Sequence, residues 1–191
     1  LVRLGGENAV SIYGVLMYAD GFIQPLLYGM CDSLQPAVGY NWGAGRYIRV
    51  RAIEICCRTA AAAVGLLSAV VLFSFPCQIA GLFMADGGAD ALAMAAFAVR
   101  LFSLTYLTRW FSFWVQSYLL AVEKAVPATI ISVSTALVFP VVLILVLWPL
   151  GLTGIWLNFA GTAVLAAVLG GILLRREHAD LARPDAPVAA E

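Results

Sequence analysis

Apolar residues fill five long stretches of this chain, and short breaks rich in polar residues, glycine and proline separate them. The pattern predicts helices over about residues 9–40, 50–75, 90–122, 127–147 and 154–174. About 20 apolar residues are enough for a helix to cross a bilayer, and each stretch reaches that length. The predicted fold class is therefore an all-α polytopic membrane protein with about five transmembrane helices.

The first and third predicted helices are longer than a bilayer requires, so we expect them to tilt, kink or protrude. Pro25 and Pro36 are the expected kink points of the first helix, because proline removes a backbone donor. Residues 77–84 are too short to cross and predict an interfacial turn of helix, followed by a loop at 86–88. Residues 175–191 are polar and rich in proline and alanine, which predicts a disordered tail.

Basic residues alternate between the two ends of the predicted helices. They occur in the first and third connections and in the tail, and the second and fourth connections have none. These residues are Arg46, Arg49, Arg51, Lys124, Arg175, Arg176 and Arg183. By the positive-inside rule, the tail is cytoplasmic and residue 1 lies outside. The predicted location is a multi-pass protein of the plasma membrane, the inner membrane of a bacterium.

The composition agrees with lipid as the main solvent. Hydrophobic residues make up 63% of the chain and charged residues 12%, whereas a soluble domain is nearer half apolar and a quarter charged. The 11 basic and 11 acidic residues balance, so nothing favours a nucleic-acid partner. Four cysteines without a CxxC pair and a single histidine predict neither a metal site nor a disulfide framework. We see no nucleophile–base pair, and we expect neither an enzyme nor a cofactor.

Four polar side chains interrupt the predicted membrane helices: Asp20, Asp32, Gln35 and Arg109. An ionisable group at the bilayer centre costs about 2.5–3.5 kcal/mol, so it indicates a functional site by default. Asp32 and Arg109 lie at similar distances from the starts of two helices that both run inward, which predicts that they meet. Asp32, or alternatively Asp20, would then bind a proton or cation while Arg109 tunes its charge. The alternative is a fixed ion pair that only holds the helices together.

Two glutamines are further candidates for the same pathway. Gln35 follows Asp32 by three residues, so it lies on the same helical face and either lines the cavity or bonds to another helix. Gln116 is a weaker candidate on the third helix. That helix is dense in aromatic residues, which we interpret mainly as packing. The alternative is that some rings line a cavity for planar or cationic ligands.

One run of residues carries a family resemblance. Gln35-Pro36, then Gly39-Tyr40-Asn41-Trp42-Gly43-Ala44-Gly45, then the basic loop at Arg49-Val50, resembles the end of the eighth helix in the multidrug and toxic compound extrusion (MATE) family. Further matches follow in order at Leu82-Phe83, Gln116, Pro140 and residues 151–156. The resemblance covers about residues 6–174. The family motif residues are Gln35, Pro36, Tyr40, Asn41, Gly43 and Ala44.

The resemblance implies a twelve-helix, two-lobe transporter that exchanges drugs or organic cations for Na⁺ or H⁺. Residues 1–174 would be a partial C-terminal transmembrane lobe, helices eight to twelve, and residues 175–191 the cytoplasmic tail. The odd helix count and the start at Leu1 likewise predict a piece of a longer protein. The expected partners are the lipid bilayer, the missing N-terminal lobe and a small-molecule substrate, for which a cationic, aromatic compound is one candidate.

The chain also departs from the family pattern. Some members place a cation-binding carboxylate in the tenth helix, but this chain has no Asp or Glu between Asp90 and Glu123. Thr135 stands where the family often has arginine. The tenth-helix site is therefore not carried over, and the coupling ion stays open. Two other functions remain: a lipid-linked oligosaccharide flippase of the same superfamily, and a non-transporting membrane scaffold or sensor segment.

Overall fold

The computed structural model describes residues 2–84 and 88–181, and the side chains of residues 6–84 and 88–177. Helices account for nearly all of these residues, and no β-strand occurs among them. The α-helices are α1 (Val2–Asp32), α2 (Leu34–Gly43), α3 (Tyr47–Ser74), α4 (Pro76–Phe83), α5 (Ala89–Ser103), α6 (Tyr106–Ala121), α7 (Ala125–Val133), α8 (Phe139–Leu147) and α9 (Gly151–Leu181). The predicted all-α fold is confirmed.

Several helices are long and apolar enough to cross a membrane. By length and composition, Gly6–Gly43, Tyr47–Ser74 and Ala125–Glu177 qualify, and α5 with α6 forms a fourth candidate that is bent by 42°. Ala125–Glu177 holds 53 residues. At about 1.5 Å per residue that stretch is far longer than a bilayer is thick, so it contains more than one crossing.

The chain turns back on itself at Gly151. This residue has φ 59° and ψ −132°, a conformation that favours glycine because it lacks a Cβ. A Cβ at Gly154 would overlap the carbonyl oxygen of Leu147, so the two helices leave the turn in close contact. Farther along, Asn158 Nδ2 donates to the Pro140 carbonyl at 2.9 Å. α8 and α9 are therefore antiparallel. With Ala125–Glu177 divided at this turn, the part of the chain that the structure describes contains five stretches that could each cross, in line with the prediction.

The first crossing is divided at Ser33, between α1 and α2. Pro36 explains the position, because its ring clashes with the carbonyl four residues earlier, that of Asp32, and has no N–H to bond to it. The Ser33 hydroxyl donates to the Met30 carbonyl at 2.7 Å, within the last turn of α1. Pro25 lies inside α1. Of the two predicted kink points, Pro36 is therefore the one that divides the helix.

The third crossing is also divided, and the sequence pattern did not predict this. α5 ends and α6 begins on either side of Leu104 and Thr105, where the axis bends by 42°. The N–H of Leu104 bonds to the carbonyl of Leu101, three residues back rather than four. The Ser103 hydroxyl donates to the Arg100 carbonyl at 2.6 Å. Hydrogen bonds from a serine side chain to a nearby carbonyl compete with the backbone hydrogen bonds of a regular helix. The sequence has no proline at this bend.

The fourth crossing contains a π-helical turn, Ser134–Val138, between α7 and α8. Pro140 follows it and lacks the N–H that a regular helix would use at that position. Thr135, within the turn, donates its hydroxyl to the Ile131 carbonyl at 2.7 Å. π-Helical turns inside α-helices are frequent at functional sites. The third and fourth crossings are thus irregular near their middle, and the first is irregular in its last third.

The last helix is longer than predicted. α9 continues to Leu181, so residues 175–181, which were expected to begin a disordered tail, are helical. Lys124 Nζ lies 3.0 Å from Glu177 Oε2, which ties this extension to the connection between α6 and α7. The rest of the predicted tail, 182–191, lies outside the described residues, as do residues 86 and 87 of the predicted loop. The short helix predicted over residues 77–84 is present as α4.

α6 lies at the centre of the bundle and contacts α2, α3, α7 and α9. Its Trp114 and Leu119 are almost completely buried. α3 approaches it closely because Gly65 has no side chain: a Cβ there would lie 2.9 Å from the Cβ of Trp110. The aromatic residues of α6 thus serve mainly in packing, and the polar residues among them stand out as candidates for a site.

Candidate functional site

One aspartate of α1 accepts two hydrogen bonds from α6. The Tyr106 hydroxyl donates to Asp20 Oδ1 at 2.6 Å, and Arg109 Nη1 donates to the same oxygen at 2.7 Å. Arg109 Nη2 also donates to Gln24 Oε1 at 3.4 Å. The side chains of Arg109 and Asp20 are 18% and 12% exposed. The two charges form a largely buried ion pair that joins α1 to α6 near the bend at the start of α6.

The predicted pairing of Asp32 with Arg109 is wrong, because Arg109 pairs with Asp20. The prediction counted residues from Ala9 and from Asp90 and assumed that the two helices start at the same depth. Arg109 follows Asp90 by 19 residues and its partner Asp20 follows Ala9 by 11, so the two starts are not level. Arg109 therefore lies beside a residue nearer the start of α1, about three helical turns before Asp32.

Asp32 is the last residue of α1, and its hydrogen-bond partners are neutral. Ser117 Oγ donates to Asp32 Oδ1 at 2.8 Å, and Gln35 Nε2 donates to the same oxygen at 3.0 Å. Asp32 is exposed within this chain, whereas Ser117 is buried. Among the described residues, Asp32 takes part in no ion pair. Its carboxylate therefore lies open at a break in a membrane helix.

A cavity of about 160 Å³ lies between α1, α6 and α7, next to the ion pair. Its polar lining includes Gln24, Tyr28, Arg109, Ser112, Gln116 and Thr135. The ring of Tyr28 stacks on that of Phe113 at 4.1 Å, and the Arg109 guanidinium lies 5.5 Å from the Phe113 ring centre. The wall combines hydrogen-bonding groups with aromatic faces, which suits a small polar species or part of a larger organic molecule.

The predicted site residues thus fall into two groups. Asp20 and Arg109 form the buried pair, and Gln116 lines the cavity beside it. Asp32 and Gln35 form a separate cluster with Ser117, farther along the first crossing. Within the described residues, no three His, Cys, Asp or Glu side chains come together as metal ligands would.

Three residues of these clusters were not singled out from the sequence: Tyr106, Gln24 and Ser117. Helical spacing contains the signal for two of them. Tyr106 precedes Arg109 by three residues and Gln24 follows Asp20 by four, so each lies on the same face as a charged residue already noted. Ser117 has no such signal, because serine is common in membrane helices and often bonds only to its own backbone.

The motif residues that follow Pro36 build the end of α2 rather than the cavity. The N–H of Gly45 bonds to the Trp42 carbonyl, and the N–H of Arg46 bonds to the Asn41 carbonyl, which together make a Schellman motif. Gly45 has φ 66°, which favours glycine at that position. Asn41 is buried and donates its Nδ2 to the Ala37 carbonyl at 2.8 Å. The tight turn at 43–46 results from these bonds.

Comparison with protein families and curated proteins agrees on one group. The family model described as MatE matches residues 1–146. The multidrug export protein MepA of Staphylococcus saprophyticus is 28% identical over 173 residues, which covers 89% of this chain and 38% of MepA. MepA of Staphylococcus aureus is 25% identical over the same length. The chain thus spans well under half of the length of these relatives.

Solved structures show the same fold. An outward-facing multidrug resistance MATE family transporter of the MOP superfamily superposes with a TM-score of 0.84, at 18% identity, over 94% of this chain and 41% of that one. An inward-facing conformation of such a transporter gives a TM-score of 0.80 at 18% identity, over 96% of this chain and 43% of that one.

Proposed function

This chain belongs to the MatE family, and on that premise we propose that it is part of a secondary active antiporter. The antiporter exports drugs or organic cations in exchange for H⁺ or Na⁺ by alternating access. The MepA relatives are multidrug export proteins by name, which supports the class of cargo. The observation that carries the coupling mechanism is Asp32, an exposed carboxylate at the break between α1 and α2.

Asp32 is suited to bind and release a proton or cation. Its partners Ser117 and Gln35 are neutral, so neutralising the carboxylate leaves no unpaired opposite charge. Pro36 has no N–H, so it donates no hydrogen bond to the Asp32 carbonyl. Backbone carbonyls and C-terminal ends of discontinuous helices coordinate coupling cations in secondary transporters, and the Asp32 carboxylate adds oxygen ligands at such an end. Asp32 is the coupling carboxylate of this proposal.

Asp20 has a different role in this proposal. Loss of its charge would leave Arg109 largely buried without its partner, which is costly in a membrane interior. The pair is therefore a brace between α1 and α6, and Arg109 presents the rest of its guanidinium to the cavity. Because Asp20 balances Arg109, the cavity is not strongly cationic. That argues against a lipid-linked oligosaccharide flippase, whose cargo is anionic.

Alternating access requires helices that bend, and the cavity lies among irregular helices. α6 starts at the 42° bend, and the π-helical turn supplies Thr135 to the cavity wall. In this proposal, a change in the angle of the bend or in the π-helical turn alters the shape of the cavity while the helices on either side stay folded. Binding of a cation at Asp32 would favour either the inward-facing or the outward-facing arrangement of the helices, because a ligand shifts the equilibrium toward the state that it binds better.

An N-terminal lobe completes the transporter in this proposal. The chain spans well under half of its relatives, and α1 exposes Tyr18, Phe22 and Leu26. We propose that this face and Asp32 look toward a central pathway shared with the other lobe. The proposed orientation places residue 1 outside and the end of α9 in the cytoplasm, because the arginines after α2 and Lys124 lie on one side.

The test is export of a fluorescent cationic dye by the intact transporter in sealed vesicles. An imposed pH gradient and an imposed Na⁺ gradient are applied in separate experiments, with a protonophore and a Na⁺ ionophore as controls. We expect one gradient to drive export and the matching ionophore to stop it. Export with neither gradient, or none with both, would contradict the antiporter. The second result would instead favour a scaffold or sensor segment.

A further inference from the structure

A second and larger cavity lies where α2 ends and α3 begins. Its volume is about 380 Å³, and its wall includes Trp42, Tyr47, Arg51, Glu54, Arg58 and Tyr118. It shares no lining residue with the cavity beside Arg109. Nothing in the proposed transport mechanism uses it.

Positive charge predominates around this second cavity. The cavity wall has two arginines, Arg51 and Arg58. The charge of Arg58 is partly balanced, because its Nη1 lies 3.8 Å from Glu54 Oε1. Arg51 takes part in no ion pair among the described residues. Arg46 and Arg49 line an adjoining hollow and add to the positive field. A ligand for this place therefore carries negative charge.

Aromatic rings fix the geometry of the cavity. The guanidinium of Arg58 lies over the ring of Trp114, 5.5 Å from its centre. With Glu54 beside it, Arg58 is held between an acid and a ring face. The ring of Trp42 meets that of Tyr47 edge-on at 5.3 Å. The cavity wall is thus built on packed rings, and Arg51 is the side chain left to meet a ligand.

The residues around this cavity are of the types found at a membrane–water interface. Tyr47 is 61% exposed and its neighbour Ile48 is 90% exposed, directly after the turn that ends α2. Trp42 and Tyr47 are the residue types that lie at the headgroup level of a bilayer. Exposed isoleucines, Ile48 and Ile55, adjoin the arginines. Positive charge beside exposed apolar side chains, at the headgroup level, suits a ligand that has a phosphate group and an attached acyl chain.

We propose that this cavity binds the phosphate of an anionic phospholipid. Arg51 makes the main contact, since its planar fork donates two parallel bonds to phosphate oxygens. Arg58 adds charge from its place over Trp114, and Glu54 limits how much negative charge the cavity accepts. Ile48 and Ile55 flank the first part of the acyl chains. Basic pockets between transmembrane helices are known to bind anionic headgroups in this way.

The test measures lipid binding to the detergent-solubilised intact transporter by native mass spectrometry. The protein is titrated with phosphatidylglycerol and, separately, with phosphatidylcholine of the same acyl chains. The variants are Arg51→Gln, Arg51→Lys and, as the matched control, Arg175→Gln at the exposed end of α9. We expect a preference for phosphatidylglycerol that falls about fivefold in Arg51→Gln, less in Arg51→Lys, and not in Arg175→Gln.

Two results would overturn the proposal. One is equal binding of both lipids by the unsubstituted protein. The other is a loss in Arg51→Gln no greater than that in Arg175→Gln. Binding is measured here without transport, so these results do not depend on whether the chain is part of an antiporter.

Discussion

Arg109 Nη1 lies 2.7 Å from Asp20 Oδ1, and this ion pair joins α6 to α1 inside the membrane part of the bundle. Tyr106 donates its hydroxyl to the same carboxylate oxygen. The pair is mostly buried, so each charge depends on the other for its place in an apolar environment. It is the strongest polar link between the first and third crossings among the described residues.

Breaking the pair from one side should destabilise the fold. We expect Arg109→Gln and Asp20→Asn each to lower the free energy of unfolding by about 3 kcal/mol, because each leaves a buried charge unpaired. The double variant should lose clearly less than the sum of the two. Melting temperature in detergent measures all three, with Asp90→Asn at the exposed start of α5 as the control. Additive losses would show that the two side chains do not interact.

Gly65 should not tolerate a side chain. A Cβ there would come within 2.9 Å of the Trp110 Cβ, which belongs to the rigid part of that residue. We expect Gly65→Ala to cost about 1–3 kcal/mol as α3 is pushed away from α6. Gly14→Ala is the matched control, since a Cβ at Gly14 would meet nothing within 4 Å. It should be neutral or stabilise the helix by up to about 1 kcal/mol. Equal effects would contradict the close contact between α3 and α6.

At two tight turns on the same side of the bundle, we expect substitutions to have opposite effects on stability. Glu123 has φ 63° and Gly45 has φ 66°, and both end a helix through a Schellman motif. A side chain in this conformation costs about 1–2 kcal/mol. We expect Glu123→Gly to stabilise the protein by about 0.5–1 kcal/mol, after allowing for the greater freedom of glycine in the unfolded state, and Gly45→Ala to destabilise it by about 1 kcal/mol. Thermal unfolding measures both, and a loss of stability in Glu123→Gly would be the contrary result.

The helical crossings could be predicted from the sequence because apolar length and breaker residues are local signals. Pro36 shows this well: its missing N–H places the division of the first crossing one turn earlier, at Ser33. The division at Leu104 and Thr105 has no comparable signal. It depends on hydroxyl bonds and on how α5 and α6 pack, which single residues do not show.

The pairing of polar residues was less predictable than the helices. Asp20, Asp32 and Arg109 stood out because ionisable residues are costly in membrane helices. Their partners follow from the depth at which each helix starts, which the sequence does not show: Arg109 pairs with Asp20, about three turns of α1 before Asp32. The tail shows another limit. Residues 175–181 are helical next to Lys124, a contact that joins positions far apart in the chain.

The role proposed for Asp32 is tested most directly by gradient-driven dye export from vesicles that contain the intact transporter with Asp32→Asn. Asp90→Asn serves as the matched control, because it removes the same charge from an exposed position. We expect Asp32→Asn to lower gradient-driven export at least tenfold while membrane insertion and melting temperature stay unchanged, and Asp90→Asn to export normally. Full export by Asp32→Asn, under the same gradient and at the same protein level, would contradict the assignment of Asp32 as the coupling carboxylate.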